Sequence, residues 1–93
     1  MLTLDDTLII PTHVSFTFVD EDAVLLNMRT NQYYLLDEVG ARLWGLLRNG
    51  KSLRESCQLL LEEYEVEPET LEQDVLELLE KLKEQELVEI LPA

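Results

Sequence analysis

With one cysteine, one histidine and seven basic residues among 93, this chain lacks most of the side chains that small proteins use for chemistry. Cys57 alone can form neither an internal disulfide nor a cysteine-based zinc site, which fits a reducing compartment. His13 has no second histidine or cysteine nearby, so it makes neither a metal site nor a catalytic triad. The three glycines, Gly40, Gly45 and Gly50, punctuate one segment and build no phosphate-binding loop. No apolar run approaches the ~20 residues of a membrane span. No basic segment followed by an apolar run of signal-peptide length opens the chain. The expectation is a soluble, cytoplasmic protein with no cofactor, metal or catalytic residue.

Acids are abundant. Twenty Asp and Glu against seven Lys and Arg give a net charge of −13. Twelve of the acids, with only two lysines, fall between Glu62 and Glu89, a local charge of −10. Such a field repels nucleic acid and anionic membranes and favours neutral or basic partners. The acids lie on helix surfaces at positions such as Glu62, Glu63, Glu72, Glu77, Glu80 and Glu84. General acid–base chemistry would need a carboxylate in a desolvated pocket. Asp20-Glu21-Asp22 lacks the alternation, glycine and final glutamate of a calcium loop.

With 46% apolar residues, the chain can build one core, and its length leaves no room for two. Residues 1–12 are expected to be a loosely held opening segment. Val14 to Val19 alternates, with Val14, Phe16 and Phe18 on one face and Ser15 and Thr17 on the other, as in a half-buried strand. Asp20-Glu21-Asp22 is a turn, and Ala23 to Met28 is a second strand. Arg29-Thr30-Asn31-Gln32 turns back, asparagine tolerating the left-handed backbone a tight turn needs. Tyr33 to Leu36 is a third strand.

Three helices follow. Asp37 caps one that runs to Arg48 and stops at Asn49-Gly50. Gly40 inside it costs about 1 kcal/mol relative to alanine, which implies close approach to a neighbouring backbone. Ser52 with Glu55 three residues on is a capping box. It opens a helix whose apolar face is Leu53, Cys57, Leu60, Leu61 and Tyr64. That face makes Cys57 a buried, inert thiol. Pro68 suits the first turn of the third helix, which runs to Gln85. Its apolar stripe is Leu71, Val75, Leu78, Leu79 and Leu82, with Leu76 outside that arc. Leu87 to Leu91 is a short apolar tail. Strands first and helices after define an α+β domain. A three-stranded antiparallel sheet beside helix–link–helix matches a winged helix-turn-helix-like arrangement.

That arrangement raises a DNA reading, which the charges oppose. The recognition helix would be Glu67 to Glu86, with eight acids and two lysines, where duplex binding needs cations facing phosphates. The third strand is more informative. Tyr34 and Leu36 share one face and Tyr33 and Leu35 the other; one set must pack on the helices, and periodicity does not choose which. A meander has two edges, and Gln32 to Leu36 carries no proline, lysine or bulge to guard one. An extended peptide could add there, or a second copy of the chain could pair with it.

Leu25-Leu26-Asn27, Arg29 through Asp37, Gly40, Trp44, Leu47, Asn49-Gly50, Tyr64-Glu65-Val66, Asp74-Val75, Leu82 and Leu87-Val88 stand in an order that resembles the PqqD-like family. These are peptide-recognition elements for ribosomally made, modified peptides. Asn31 replaces the family's usual turn glycine and Asp37 its usual asparagine, both conservative for a turn and a cap. The resemblance implies a non-catalytic chaperone that binds the leader of a precursor peptide as a strand beside the third strand, against the third helix. The implied ladder is Gln32 to Leu36, including Leu35. The implied floor is Tyr33, Tyr34 and Leu36 with Val75, Leu76, Leu79 and Lys83. The free-standing length looks most like the leader-binding protein of lasso-peptide biosynthesis, presenting the precursor to a separate leader peptidase. The peptide chaperone of pyrroloquinoline quinone biosynthesis is the alternative within the family. A homo-oligomerising module is the alternative outside it. A monomer or weak homodimer is expected.

Overall fold

The structure, a computed structural model, describes residues 2–92. The elements in order are β1 (Thr7–Ile9), β2 (Val14–Val19), β3 (Asp22–Asn27), β4 (Gln32–Leu36), α1 (Glu38–Arg48), α2 (Leu53–Glu63), α3 (Pro68–Glu84) and β5 (Glu89–Leu91). The sheet β2-β3-β4 is an antiparallel meander, as the alternation predicts, and β1 pairs with β5 in a separate ladder. This is the expected α+β, winged helix-turn-helix-like arrangement.

The turns and caps follow the local chemistry. Asn31 adopts φ 60° in the β3–β4 turn. The Asp37 carboxylate accepts from Gly40 N at 2.9 Å. Ser52 and Glu55 complete their reciprocal box at 3.1 and 3.3 Å. Gly50, at φ 89°, ends α1 where a side chain would be strained. Gly40 is tight for a different reason from the one expected. A β-carbon there would lie 3.3 Å from Asp37 Oδ1 and 3.4 Å from the Leu36 side chain, so the close neighbours are side chains and not a backbone.

The register fixes the two sheet faces. Phe16 pairs with Leu25 and Leu25 with Tyr34, which puts these three on the helix side with Val14, Ala23 and Leu36. Against that face α1 packs Ala41, Leu43, Trp44 and Leu46, and α2 and α3 complete the core with Leu53, Leu60, Leu71, Leu79 and Leu82. Phe16 meets Trp44 edge to face at 6.1 Å, and the Arg48 guanidinium covers the other side of Phe16 at 4.7 Å.

Two places depart from the sequence-based expectation. The opening segment is seated, not loose, across the residues described; Met1 lies outside them. Leu2 and Leu4 are each only 8% exposed, and Leu8 pairs with Ile90. The strand that pairs with β1 is β5, which lies within the tail expected from Leu87 to Leu91. The second is Asn27, for which the sequence pattern suggests no role and which is 1% exposed. Its Nδ2 donates to the Gln85 carbonyl at 3.0 Å and the Glu86 carbonyl at 3.4 Å. Its Oδ1 accepts from the N–H of Arg29 at 2.9 Å and of Thr30 at 3.3 Å. One amide thereby ties the β3–β4 turn to the end of α3. That end is a Schellman closure, with Leu87 N donating to Leu82 O at 2.9 Å around Glu86 at φ 58°.

Two stability measurements check this account. Asn27→Ala is expected to cost about 1–3 kcal/mol, because it strands buried donors and acceptors on both sides; urea unfolding should show a lower midpoint at an unchanged slope. Leu4→Ala is expected to cost about 2 kcal/mol or more, whereas an unpacked segment would lose nothing.

Candidate functional site: a groove between β4 and α3

Tyr34, Leu35 and Leu36 of β4 face a groove of about 520 Å³ whose other wall is α3. The floor is apolar: Tyr34, Leu36, Val39, Leu43, Leu71, Val75 and Leu78. The rim is polar, with Thr70, Asp74, Glu77 and Lys81 on α3 and Asp37 at the end of β4. β4 is the outer strand of its sheet, so its free edge opens onto this groove.

The two walls run in opposite directions. Gln32 is the cross-strand partner of Asn27, and Asn27 is bonded to Gln85 at the end of α3. The Leu36–Asp37 end therefore lies toward Thr70 and Leu71. From Thr70 to Lys81 the helix rises about 16 Å. From Gln32 to Leu36 the strand β4 spans about 14 Å. The walls thus match in length and suit one extended segment of similar reach.

The residues named from sequence fall into three groups. Tyr34, Leu36 and Val75 line the groove floor, and Leu35 reaches its lip through the strand. Tyr33 and Leu35 point their side chains to the opposite, outer face of the sheet, 70% and 74% exposed. They stand across from Leu26 and Val24. Gln32 is exposed at the strand's start. The helix residues separate differently. Leu79 is fully buried in the core. Leu76 faces away from the groove, in a shallow hollow with Leu2, Glu69 and Glu80; its position off the apolar arc is explained by the opening segment. Lys83 is exposed and lines no part of the groove, where Lys81 stands instead. Leu78, Asp74 and Lys81 were not among the residues named. Leu78 was visible in the stripe with Leu71 and Val75, but was assigned to the core.

The groove's charges are free of ion pairs. Among the described residues the two ion pairs are Arg42–Glu63 at 2.9 Å and Arg54–Asp5 at 2.9 Å, both elsewhere. Glu77 accepts from Gln73 at 3.2 Å, and one Asp37 oxygen caps α1. Among the described residues no group of three or more His, Cys, Asp or Glu side chains could hold a metal ion. Burial, and then the charge of Glu72, push the Cys57 thiol up from its ordinary value, which suits an inert side chain. No helix among the described residues is long and apolar enough to cross a membrane.

A second hollow, beside Phe18, gathers Glu21, Glu38, Arg42 and Tyr64. A hydrogen bond with Glu38, and then the repulsion between the two carboxylates, raise the Glu21 pKa. The same Glu38 contact raises the Tyr64 phenol. Arg42 holds the Glu63 carboxyl below its usual value. A carboxyl whose pKa is raised on folding opposes folding once both states are ionised. The penalty is absent below its ordinary value of 4.5 and sets in as pH climbs through the raised folded value. Glu21→Gln is therefore expected to raise the Tm slightly at neutral pH and to leave it unchanged at about pH 4, which thermal melts at the two pH values would show.

The family model described as coenzyme PQQ synthesis protein D (PqqD) matches residues 22–88. The chain belongs to this family. Among solved structures, TbiB1 in complex with the TbiA(β) leader peptide matches with a TM-score of 0.81 at 38% identity, covering 86% of this chain and 93% of that one. A lasso peptide synthetase B1 complexed with the leader peptide matches with a TM-score of 0.80 at 30% identity, covering 89% and 98%. No curated protein matches.

Proposed function

We propose that this protein is a non-catalytic chaperone of lasso-peptide biosynthesis. It binds the leader segment of a ribosomally made precursor and presents the precursor to a separate leader peptidase. The observation that carries this is the unguarded β4 edge, opening onto an apolar groove of matching length. The two structural neighbours support it, since both are leader complexes. The leader adds to β4 as a fourth strand. The main chain of Gln32 to Leu36 supplies the ladder, and alternate leader side chains descend onto Tyr34, Leu36, Val75 and Leu78. Tyr33 contributes main chain only, because its ring lies on the far face of the sheet.

A second reading rests on the family's name. The matching family is described by coenzyme PQQ synthesis, and the same groove would serve a peptide of that pathway. The lasso assignment is preferred because both solved neighbours belong to lasso systems or carry leader peptides.

Titration of the labelled protein with the TbiA(β) leader, followed by amide NMR, tests the proposal. Shifts should concentrate at Gln32–Leu36 and along the Thr70–Lys81 side of α3. Leu78→Ala should weaken binding by about ten-fold, the equivalent of the ~1–2 kcal/mol of apolar contact removed. Leu76→Ala should leave it unchanged. Equal loss from both variants, or shifts on the Leu76 side of the helix, would overturn this placement of the leader.

A further inference from the structure

The rim of the groove has an order that the apolar floor lacks. Along α3 it reads Thr70, Asp74, Glu77, Lys81, so carboxylates occupy the middle and an ammonium the end. Asp37 adds a third carboxylate at the opposite end from Lys81, where β4 passes into α1. Asp74, Glu77 and Lys81 are all exposed, and none is in an ion pair among the described residues. Charges left without a charged partner along one groove are available to a ligand.

We infer that this rim selects leaders carrying a lysine or arginine at the Asp37–Asp74 end of the bound strand, with an acidic or neutral residue at the Lys81 end. The inference rests on the leader-binding reading above and adds the ligand's charge pattern to it. A backbone ladder is blind to side chains and can form with a strand in either direction. The floor is apolar along its whole length, so it also distinguishes direction poorly. A rim that is negative at one end and positive at the other does distinguish it, since reversing a strand with one charged end would set like charges together. The overall charge of −13 attracts any cationic peptide, so simple salt dependence is not diagnostic. The diagnostic property is that charge matters at particular positions of the ligand.

The test is a positional scan. Copies of the TbiA(β) leader carry lysine or glutamate at each position in turn, and affinities are measured by fluorescence anisotropy. At one or two neighbouring positions the lysine version should bind about three- to ten-fold tighter than the glutamate version, the scale of one or two exposed charge pairs. That preference should vanish in the Asp74→Asn/Glu77→Gln double variant and persist in Lys81→Gln. Both substitutions lie on exposed positions, and circular dichroism would confirm the fold. Equal binding of lysine and glutamate versions at every position, with the unsubstituted leader still bound, would overturn the charge inference and leave the leader-binding reading intact. A preference that survives the double variant would overturn it equally. Failure of the unsubstituted leader to bind would overturn both.

Discussion

The groove depends on a single side-chain amide. β4 and α3 are its walls, yet α3 packs mainly on α2, and β4 packs on β3 and α1. Asn27 supplies the direct tie, with its two donors on carbonyls at the end of α3 and its oxygen on the turn that launches β4. His13 reinforces the same point, its Nε2 standing 2.9 Å from the Glu86 carbonyl. At the other end, the Asp37 cap and the packing of Gly40 against Leu36 fix where β4 gives way to α1. A gap tied to α3 at one end and bounded by α1 at the other can stay open without collapsing. Apolar side chains from both walls would otherwise close on one another to remove their surface from water.

Most of the fold was legible because local chemistry and periodicity agreed. Alternation from Val14 to Val19 marked β2, the Ser52–Glu55 box marked α2, and Pro68 marked the start of α3. What escaped was β1 and its pairing with β5, three residues each, although Leu87 to Leu91 reads as a packed extended tail. A three-residue strand carries too little alternation to register, and its pairing joins residues some eighty positions apart, a relation no local pattern encodes. Asn27 escaped for a related reason. In sequence it is one polar residue in an apolar strand; two of its four hydrogen bonds exist only once the end of α3 arrives.

Of the candidate groove, the strand wall was legible in the sequence, and the helix wall was expected on a different margin of α3 from the one that lines it. Gln32 to Leu36 could be named because an unguarded edge is a property of the strand itself. The helix wall required knowing the rotation of α3 about its axis. Leu76 and Leu78 are both apolar and only two residues apart, so they stand on nearly opposite faces. The sequence showed an apolar stripe wider than one neighbour could bury, but not which margin met the core and which met the groove. Packing on α2 and the Asn27 tie set that rotation. They turn Leu78 toward the groove, put Leu79 in the core, and leave Leu76 to the opening segment.

The charge of α3 shows how one architecture changes its ligand. In a winged helix-turn-helix that reads DNA, the recognition helix must carry cations to meet phosphates. Here that helix carries carboxylates along its exposed face, and the useful surface moves to the seam between helix and sheet. The change also alters what selects the ligand. In the proposed leader complex, main-chain hydrogen bonds to β4 would hold any extended segment, and the apolar floor would accept many side chains of suitable size. Discrimination must then come from contacts that penalise wrong partners. An acidic surface penalises acidic peptides as a class, while the reversal of sign between Asp74 and Lys81 penalises a correctly composed peptide lying in the wrong direction. On the proposed reading, affinity and direction would reside in different parts of one groove, the first in the strand edge and floor, the second in the rim.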